Sequence, residues 1–260
     1  MYFAGIEGGA TTSHIVITNE GGEILSRSDG PSTNHWMVGV DECQARIMKM
    51  IQDAKQKAGI NLDIPLTSVG LSLSGGEKDM DVIIDNLHKK DQHLSKSYHI
   101  YNDTQGSIFS ASNKGGMVMI AGTGTNCRVV NPDGSTYNCG GWGHLLGDEA
   151  GAYWISNRAI KYVFDADDNL EHPPADVSTV RKLMLSHYKL RVQRQDLLDH
   201  LYRKIDKPKL ASFCKGKFFA KAATETGDML SRHVFSEAGM MIAKHICALE
   251  PHINKVGGLS

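Results

Sequence analysis

The chain has no pair of cysteines at metal-ligating or redox spacing. Its five, Cys43, Cys127, Cys139, Cys214 and Cys247, are scattered over 260 residues without a Cys-x-x-Cys. A disulfide framework, a zinc ribbon and an iron–sulfur ligand set therefore have no support, and reduced cytosolic thiols fit best. Charge of one sign is lacking too. The 28 basic and 29 acidic residues leave a formal net charge of -1, so nothing draws the whole chain to nucleic acid or to an anionic membrane, and an anion site has to be local. No apolar run approaches the roughly 18 residues of a membrane span. The opening Met1-Tyr2-Phe3-Ala4-Gly5-Ile6 lacks the length and basic lead-in of a secretory signal. These absences predict a cytoplasmic protein. What remains, 41% hydrophobic and 22% charged residues, is ordinary for a globular chain of about one to two domains.

The phosphate motifs that carry a lysine are missing as well. Two glycine-rich stretches, Glu7-Gly8-Gly9-Ala10-Thr11-Thr12-Ser13 and Ala121-Gly122-Thr123-Gly124-Thr125-Asn126, are not followed by Gly-Lys-Ser/Thr and do not have the spacing of a dinucleotide fingerprint. Each lies between apolar, strand-like runs and reads as a hairpin turn. Glycines let an anion approach the backbone, oriented N–H groups favour negative charge, and threonines add hydroxyls. Either turn alone is equally an ordinary hairpin, because glycine dominates turns. Two of them at corresponding places in two halves point to phosphate binding.

Short β-branched or apolar segments over 2–7, 13–19 and 23–28 predict three antiparallel strands. Val40, Cys43, Ile47, Met50, Ile51, Ala54 and Ala58 recur at helical spacing and stop at Gly59. A strand over 68–73, a helix over about 77–90 and a strand over 98–101 follow, which predicts a mixed sheet flanked by helices. After Ser112-Asn113-Lys114-Gly115-Gly116 the pattern restarts: Met117 to Ile120, the second glycine turn, then Cys127-Arg128-Val129-Val130 and Asn131-Pro132-Asp133-Gly134. Two related domains are expected, 1–114 and 115–260, meeting across a cleft. From 147 onward the chain reads as almost wholly helical, ending in a helix over about 228–250 with Leu230, Val234, Ala238, Met241, Ile242 and Ile246 on one face. The second copy stops at Val256-Gly257-Gly258-Leu259-Ser260, short of the first, so it is expected to be incomplete.

Asp103 follows a strand and precedes a helix, a place where a carboxylate can take a proton from a substrate hydroxyl or simply cap the helix. The loop Cys139-Gly140-Gly141-Trp142-Gly143-His144-Leu145-Leu146-Gly147-Asp148-Glu149 combines an indole, an imidazole and two carboxylates, a mixture that suits a sugar-sized ligand. Its bland alternative is a structural histidine and two first-turn acids favoured by the helix dipole; metal binding by His144 and Asp148 is disfavoured, because two ligands do not make a site. Ser32-Thr33-Asn34-His35-Trp36 mixes amide, hydroxyl and indole in the loop before the first helix, where one of the three leading residues would cap it. Glu7 at a strand end could hold Mg2+ through water or be a solvated acid. Cys127 and Cys139 are read as structural.

At these residues the chain resembles the animal-type N-acetylglucosamine kinases of the actin and hexokinase-like ATPase superfamily, in the branch that includes the BadF/BadG/BcrA/BcrD ATPases. The resemblance runs over nearly the whole chain and rests on Ile6-Glu7-Gly8-Gly9, Ser32-Thr33-Asn34-His35-Trp36, Gly70-Leu71-Ser72-Leu73-Ser74-Gly75-Gly76, Gly122-Thr123-Gly124, Asn126-Cys127-Arg128, Cys139-Gly140-Gly141-Trp142-Gly143-His144, Gly147-Asp148-Glu149 and Ala152-Tyr153-Trp154-Ile155. It implies two α/β domains of ribonuclease H-like type, the second truncated and mostly helical, and a homodimer. The implied reaction moves the γ-phosphoryl group of ATP, with Mg2+, to the 6-hydroxyl of N-acetyl-D-glucosamine. In that picture Thr11, Thr123 and Ala211 contact the nucleotide and Asp103 is the base. Asn34, Asp103, Thr125, Asn126, Gly141, Trp142, Gly143, His144, Leu145 and Asp148 surround the sugar. Ala10 stands where the family usually has a third glycine, and the family continues past residue 260 with an adenosine motif and further strands; that implies a half-built adenine pocket, an uncertain turnover and weak stability for this chain. Iron–sulfur activator ATPases of the same branch are disfavoured by the missing Cys-x-x-Cys. A non-catalytic form that binds sugar or a protein partner is the alternative from outside enzymology.

Overall fold

The structure, a computed structural model, describes residues 1–9, 11–74, 79–91, 93–112, 114–189, 196–203, 206–215 and 219–253. Ala10, Gly75, Gly76, Asn113 and residues 256–260 of the sequence reading lie outside them. The chain divides into two compact units, Met1–Gly115 and Gly116–Ser260.

In the first unit β1 (Tyr2–Gly8), β2 (Thr12–Asn19), β3 (Ile24–Pro31), β4 (Ser68–Leu73) and β5 (Tyr98–Asn102) form one five-stranded sheet in the order β3-β2-β1-β4-β5. The first three strands pair antiparallel, whereas β4 and β5 run parallel to β1. Strand alternation sets which face is dry: Ala4, Ile6, Ile15, Ile17, Val69, Leu71 and Leu73 are buried, while Gly5 and Glu7 point the other way. On the dry face lie α2 (Val40–Lys57) and α3 (Met80–Lys90), which add Cys43, Ile47, Met50, Ile51, Ala54, Ile83 and Leu87 to the core. The expected stripe of α2 is thus the buried one, and Gly59, at φ 69, ends the segment as its left-handed conformation requires. Ahead of α2, residues His35–Val38 form a one-turn helix, α1, where the sequence predicted loop. Asn34 makes that turn possible by accepting the Trp36 N–H at 3.0 Å. The last helix of the unit is α4 (Asp103–Ala111).

The second unit begins with a three-stranded antiparallel meander, β6 (Gly116–Ala121), β7 (Thr125–Val130) and β8 (Thr136–Gly140). Cys139 and Gly140, expected in a loop, end β8 opposite Cys127 and Asn126. The rest is helical: α5 (Ala152–Asp167), α6 (Ser178–Tyr188), a π turn (Asp199–Arg203), α7 (Lys207–Ser212), α8 (Phe219–Lys221), a second π turn (Ala222–Thr226), α9 (Met229–Ala248) and a closing 3-10 turn (Glu250–His252). Their shared core includes Ile155, Ala159, Val163, Val180, Met184, Phe213, Phe219, Leu230, Val234 and Ala238. The face of α9 deviates from the expected stripe near its end, since His245 is buried and Ile246 is exposed. The α/β class expected from the strand and helix order is the one observed.

Candidate functional site

The first unit gathers its polar residues at one edge of the sheet because of strand register. Gly8 of β1 is level with Leu73 of β4, and Leu73 with Asn102 of β5. The residues that follow each strand therefore emerge side by side at the carboxyl ends of three parallel strands, where ligands of open α/β sheets bind. From β1 comes the first glycine turn, closed by a Gly9 N–H bond to the Thr12 carbonyl at 3.0 Å, with Thr11 exposed beyond it. From β4 comes Ser74, whose N–H donates to the Gly8 carbonyl at 2.7 Å. From β5 comes Asp103, half-buried, whose carboxylate accepts the Thr104 N–H at 2.9 Å.

The helix-capping role that Asp103 could have had belongs to its neighbour. Asn102 Oδ1 accepts the Gln105 N–H at 2.8 Å and the Thr104 hydroxyl at 2.6 Å, so Asp103 is the first residue inside α4. The loop carrying Asn34 rests on the same edge: the Ser32 hydroxyl donates to the Gly9 carbonyl at 3.1 Å, and the buried hydroxyls of Ser13 and Thr33 bond at 2.9 Å. Asn34 Nδ2 reaches Ser74 Oγ at 3.5 Å. Asn34, the first turn and Asp103 are thus brought to one edge, while Trp36 is exposed.

Glu7 points from the undried face of the sheet, into a groove of about 750 Å³ lined also by His14, Asp29, Ser72 and Tyr101. Among the described residues no three His, Cys, Asp or Glu side chains form a metal cage. Mg2+ does not need one, because it is commonly held by one or two carboxylates together with substrate phosphates. An exposed carboxylate one residue before the first turn fits that manner of binding.

The second unit gathers its own polar residues around Asp148. The second turn closes with the Gly122 N–H on the Gly124 carbonyl at 2.9 Å, and the first amides of α5 use the turn as their cap: Ala152 N donates to the Gly122 carbonyl at 2.8 Å and Tyr153 N to the Thr123 carbonyl at 3.1 Å. Asp148 stands at φ 64 and Ala150 at φ 70, both in the sparsely populated left-handed region. That backbone drives the Asp148 carboxylate against Gly124, where a Cβ would collide with it. Its Oδ1 accepts the Thr125 N–H at 3.2 Å and its Oδ2 is held by Lys207 Nζ at 2.9 Å.

Beside it, Thr125 Oγ1 and Asn126 Oδ1 are buried without a hydrogen-bond partner, and buried polar atoms of that kind call for one. The loop after β8 crosses directly above Asn126: Gly141 N donates to the Thr125 carbonyl at 3.0 Å, and at φ 80 with its Cβ direction 3.0 Å from Asn126 Cγ, a side chain at position 141 would be strained. Trp142 and Leu145, 71% and 87% exposed, project outward, while His144 packs edge-on to Tyr153 at 4.9 Å between ring centres. Burial pushes the Tyr153 hydroxyl above its ordinary pKa. Thr123 is half-buried, and Ala211 on α7 is buried with its carbonyl 3.4 Å from the Ser156 hydroxyl. Burial likewise raises the Cys127 thiol, with Cys139 adding to the effect from across the strand pair, which suits packing and not nucleophilic chemistry.

Lys207 was not among the residues singled out from sequence. It is one of several lysines in a polar stretch, and its partner lies 59 residues away, so no local pattern marks it. Asp206, whose carboxylate caps α7 through the Lys209 N–H at 3.0 Å, and Pro208 in the first turn are the nearby hints that a helix starts there.

Comparison with known proteins bears on both units. A model of the BadF/BadG/BcrA/BcrD ATPase family matches residues 4–259. The chain is similar to an N-acetyl-D-glucosamine kinase of Dictyostelium discoideum, 28% identical over 254 residues that cover 91% of this chain and 75% of that one. It is also similar to an N-acetylmuramic acid/N-acetylglucosamine kinase of Clostridium acetobutylicum, 25% identical with the same shares of each chain covered. A crystal structure of a candidate N-acetylglucosamine kinase from Chromobacterium violaceum aligns with a TM-score of 0.78 at 22% identity, covering 96% of this chain and 83% of that chain, and has the same fold.

Proposed function

The chain belongs to the BadF/BadG/BcrA/BcrD ATPase family, and from that premise we propose that it phosphorylates N-acetyl-D-glucosamine at the 6-hydroxyl with ATP and Mg2+, as a cytoplasmic homodimer. The observation that carries this reading is the register of β1, β4 and β5, which sets a glycine–threonine turn, the Ser74 hydroxyl and a carboxylate at one strand edge. Phosphoryl transfer asks a protein mainly for alignment and charge stabilisation, and those three groups supply the means.

Asp103 accepts the proton of the 6-hydroxyl as that oxygen attacks the γ-phosphorus. The bond from the γ-phosphorus to the bridging oxygen breaks, and ADP leaves with the electron pair. Thr11 and Thr123 contact the phosphates through their hydroxyls and turn amides, and Ala211 contacts the nucleotide. Glu7 would hold Mg2+ through water, and the ion when bound would supply charge to offset the phosphates. Asn34, Asp103, Thr125, Asn126, residues 141–145 and Asp148 orient the ring; the buried, unpartnered oxygens of Thr125 and Asn126 are suited to hydroxyl and amide donors of such a ligand.

An ADP-release assay with N-acetylglucosamine and Mg-ATP tests the reading against Asp103→Asn. A positioned general base contributes roughly 10²–10⁴-fold, so kcat is expected to fall by that order with little change in sugar affinity. Full activity in the variant would remove Asp103 from the mechanism. Sugar heat without ATP heat in calorimetric titrations would replace the kinase by a sugar-binding protein.

A further inference from the structure

We propose that Lys207 is the residue that makes this site select its sugar by hydroxyls and not by charge; the inference rests on the amino-sugar kinase reading above. Asp148 is buried, and its carboxylate is fixed on both oxygens: by the Thr125 amide at 3.2 Å and by the Lys207 ammonium at 2.9 Å. Lys207 itself keeps only a minor part of its side chain exposed and lies with its Nζ 6.0 Å from the centre of the Tyr153 ring. A carboxylate held in such surroundings, little screened by water, exerts a field on anything bound next to it. The lysine cancels that field. The remaining acid of the loop, Glu149, instead faces buried His245, whose Nε2 lies 3.9 Å away and whose Nδ1 donates to the Met241 carbonyl at 2.7 Å.

Amino sugars differ most simply in charge. Glucosamine carries an ammonium, N-acetylglucosamine is neutral, and N-acetylmuramic acid carries a carboxylate. A wall made of Asp148 alone would favour the first and repel the third, whereas a wall made of the Asp148–Lys207 pair treats the ring as a set of hydrogen-bonding groups. Lys207 begins α7, and α7 packs on α5, so its ammonium is delivered to Asp148 by the helical core and not by the sugar loop.

The test compares kcat/KM for the three sugars at about pH 6, where glucosamine is cationic, in the parent, Lys207→Met, Lys207→Arg and the double variant Lys207→Met/Asp148→Asn. For Lys207→Met the ratio of glucosamine to N-acetylglucosamine is expected to rise on the order of tenfold, and that of N-acetylmuramic acid to N-acetylglucosamine to fall by a similar factor. Lys207→Arg keeps the charge and should keep both ratios near the parent's. The double variant, neutral again, should bring them back even where absolute rates stay low. A uniform drop for all three sugars in Lys207→Met would make the lysine merely structural. A raised KM for ATP with unchanged sugar ratios would make it a phosphate ligand; either result overturns the proposal. A parent inactive on every sugar would instead overturn the kinase reading, and equilibrium titration of the same sugars without ATP then reads the charge selectivity without turnover.

Discussion

Single residues decide whether the second turn and the Asp148 loop can touch. A Cβ on Gly151 would lie 2.8 Å from Gly124 Cα and 2.9 Å from the Thr123 carbonyl oxygen, both backbone atoms that cannot swing aside. Gly122, two residues before Gly124 in the same turn, has nothing within 4 Å of its Cβ direction. Gly151→Ala is therefore expected to destabilise the protein by about 1–3 kcal/mol, the usual cost of overpacking, whereas Gly122→Ala should melt within about 0.5 kcal/mol of the parent, as open surface positions do. Thermal melts of the two variants check this, and equal melting would mean that the close approach is not maintained in solution. None of this was legible in the sequence: Gly-Thr-Gly announces a turn, but its contact with residue 151 is a tertiary event. Lys207 belongs to the same class, because an ion pair across 59 positions leaves no periodicity. His245 is a third case, since a 3.6-residue stripe is blind to a buried imidazole that satisfies itself on the Met241 carbonyl of the preceding turn.

At the scale of elements, α4 depends on a cap that the sequence offered only as the alternative role of Asp103 and that Asn102 supplies. Asn102 accepts both the Gln105 N–H and the Thr104 hydroxyl, and Asp103 gains its place by standing one residue inside. Asn102→Ala removes that acceptor and is expected to cost about 1 kcal/mol, in the range for lost N-caps, while Asn102→Asp should recover most of it. Urea midpoints of the three proteins provide the measurement, and identical midpoints would deny the cap any role. Elements with strong periodicity, such as α2 with its buried Cys43, Ile47, Met50, Ile51 and Ala54, were legible because one long stripe fixes both type and orientation. Short ones were not: β8 carries Asn, Cys and Gly at its end and is held by pairing with β7, and the four residues of α1 exist because Asn34 caps them. Strand pairing and capping are supplied by neighbours, so a local window undervalues them.

On the scale of the whole molecule, each unit has its own core, and in or against each core lies an acid that burial keeps protonated. Cys43 in the first unit is pushed up to about 11 and Cys214 in the second to about 11, while Tyr98 in the first rises to about 12. In the unfolded chain these thiols ionise near 9.0. Below that pH both states are protonated, and the stabilising contribution is fully present. Above it the unfolded chain releases protons that the folded cores retain, so stability falls as pH rises from about 9 toward 11, by roughly 1.4 kcal/mol for each unit that a folded pKa exceeds the unfolded one. The urea midpoint is accordingly expected to drop between pH 8 and pH 10.5 in a parent that is unchanged between pH 7 and pH 8. Cys43→Ala, which starts lower because it leaves a cavity, should show a shallower decline over the same interval, since its share of the proton release is gone. A parent midpoint that stays level to pH 10.5 would mean that these thiols ionise in the folded protein and that water reaches both cores.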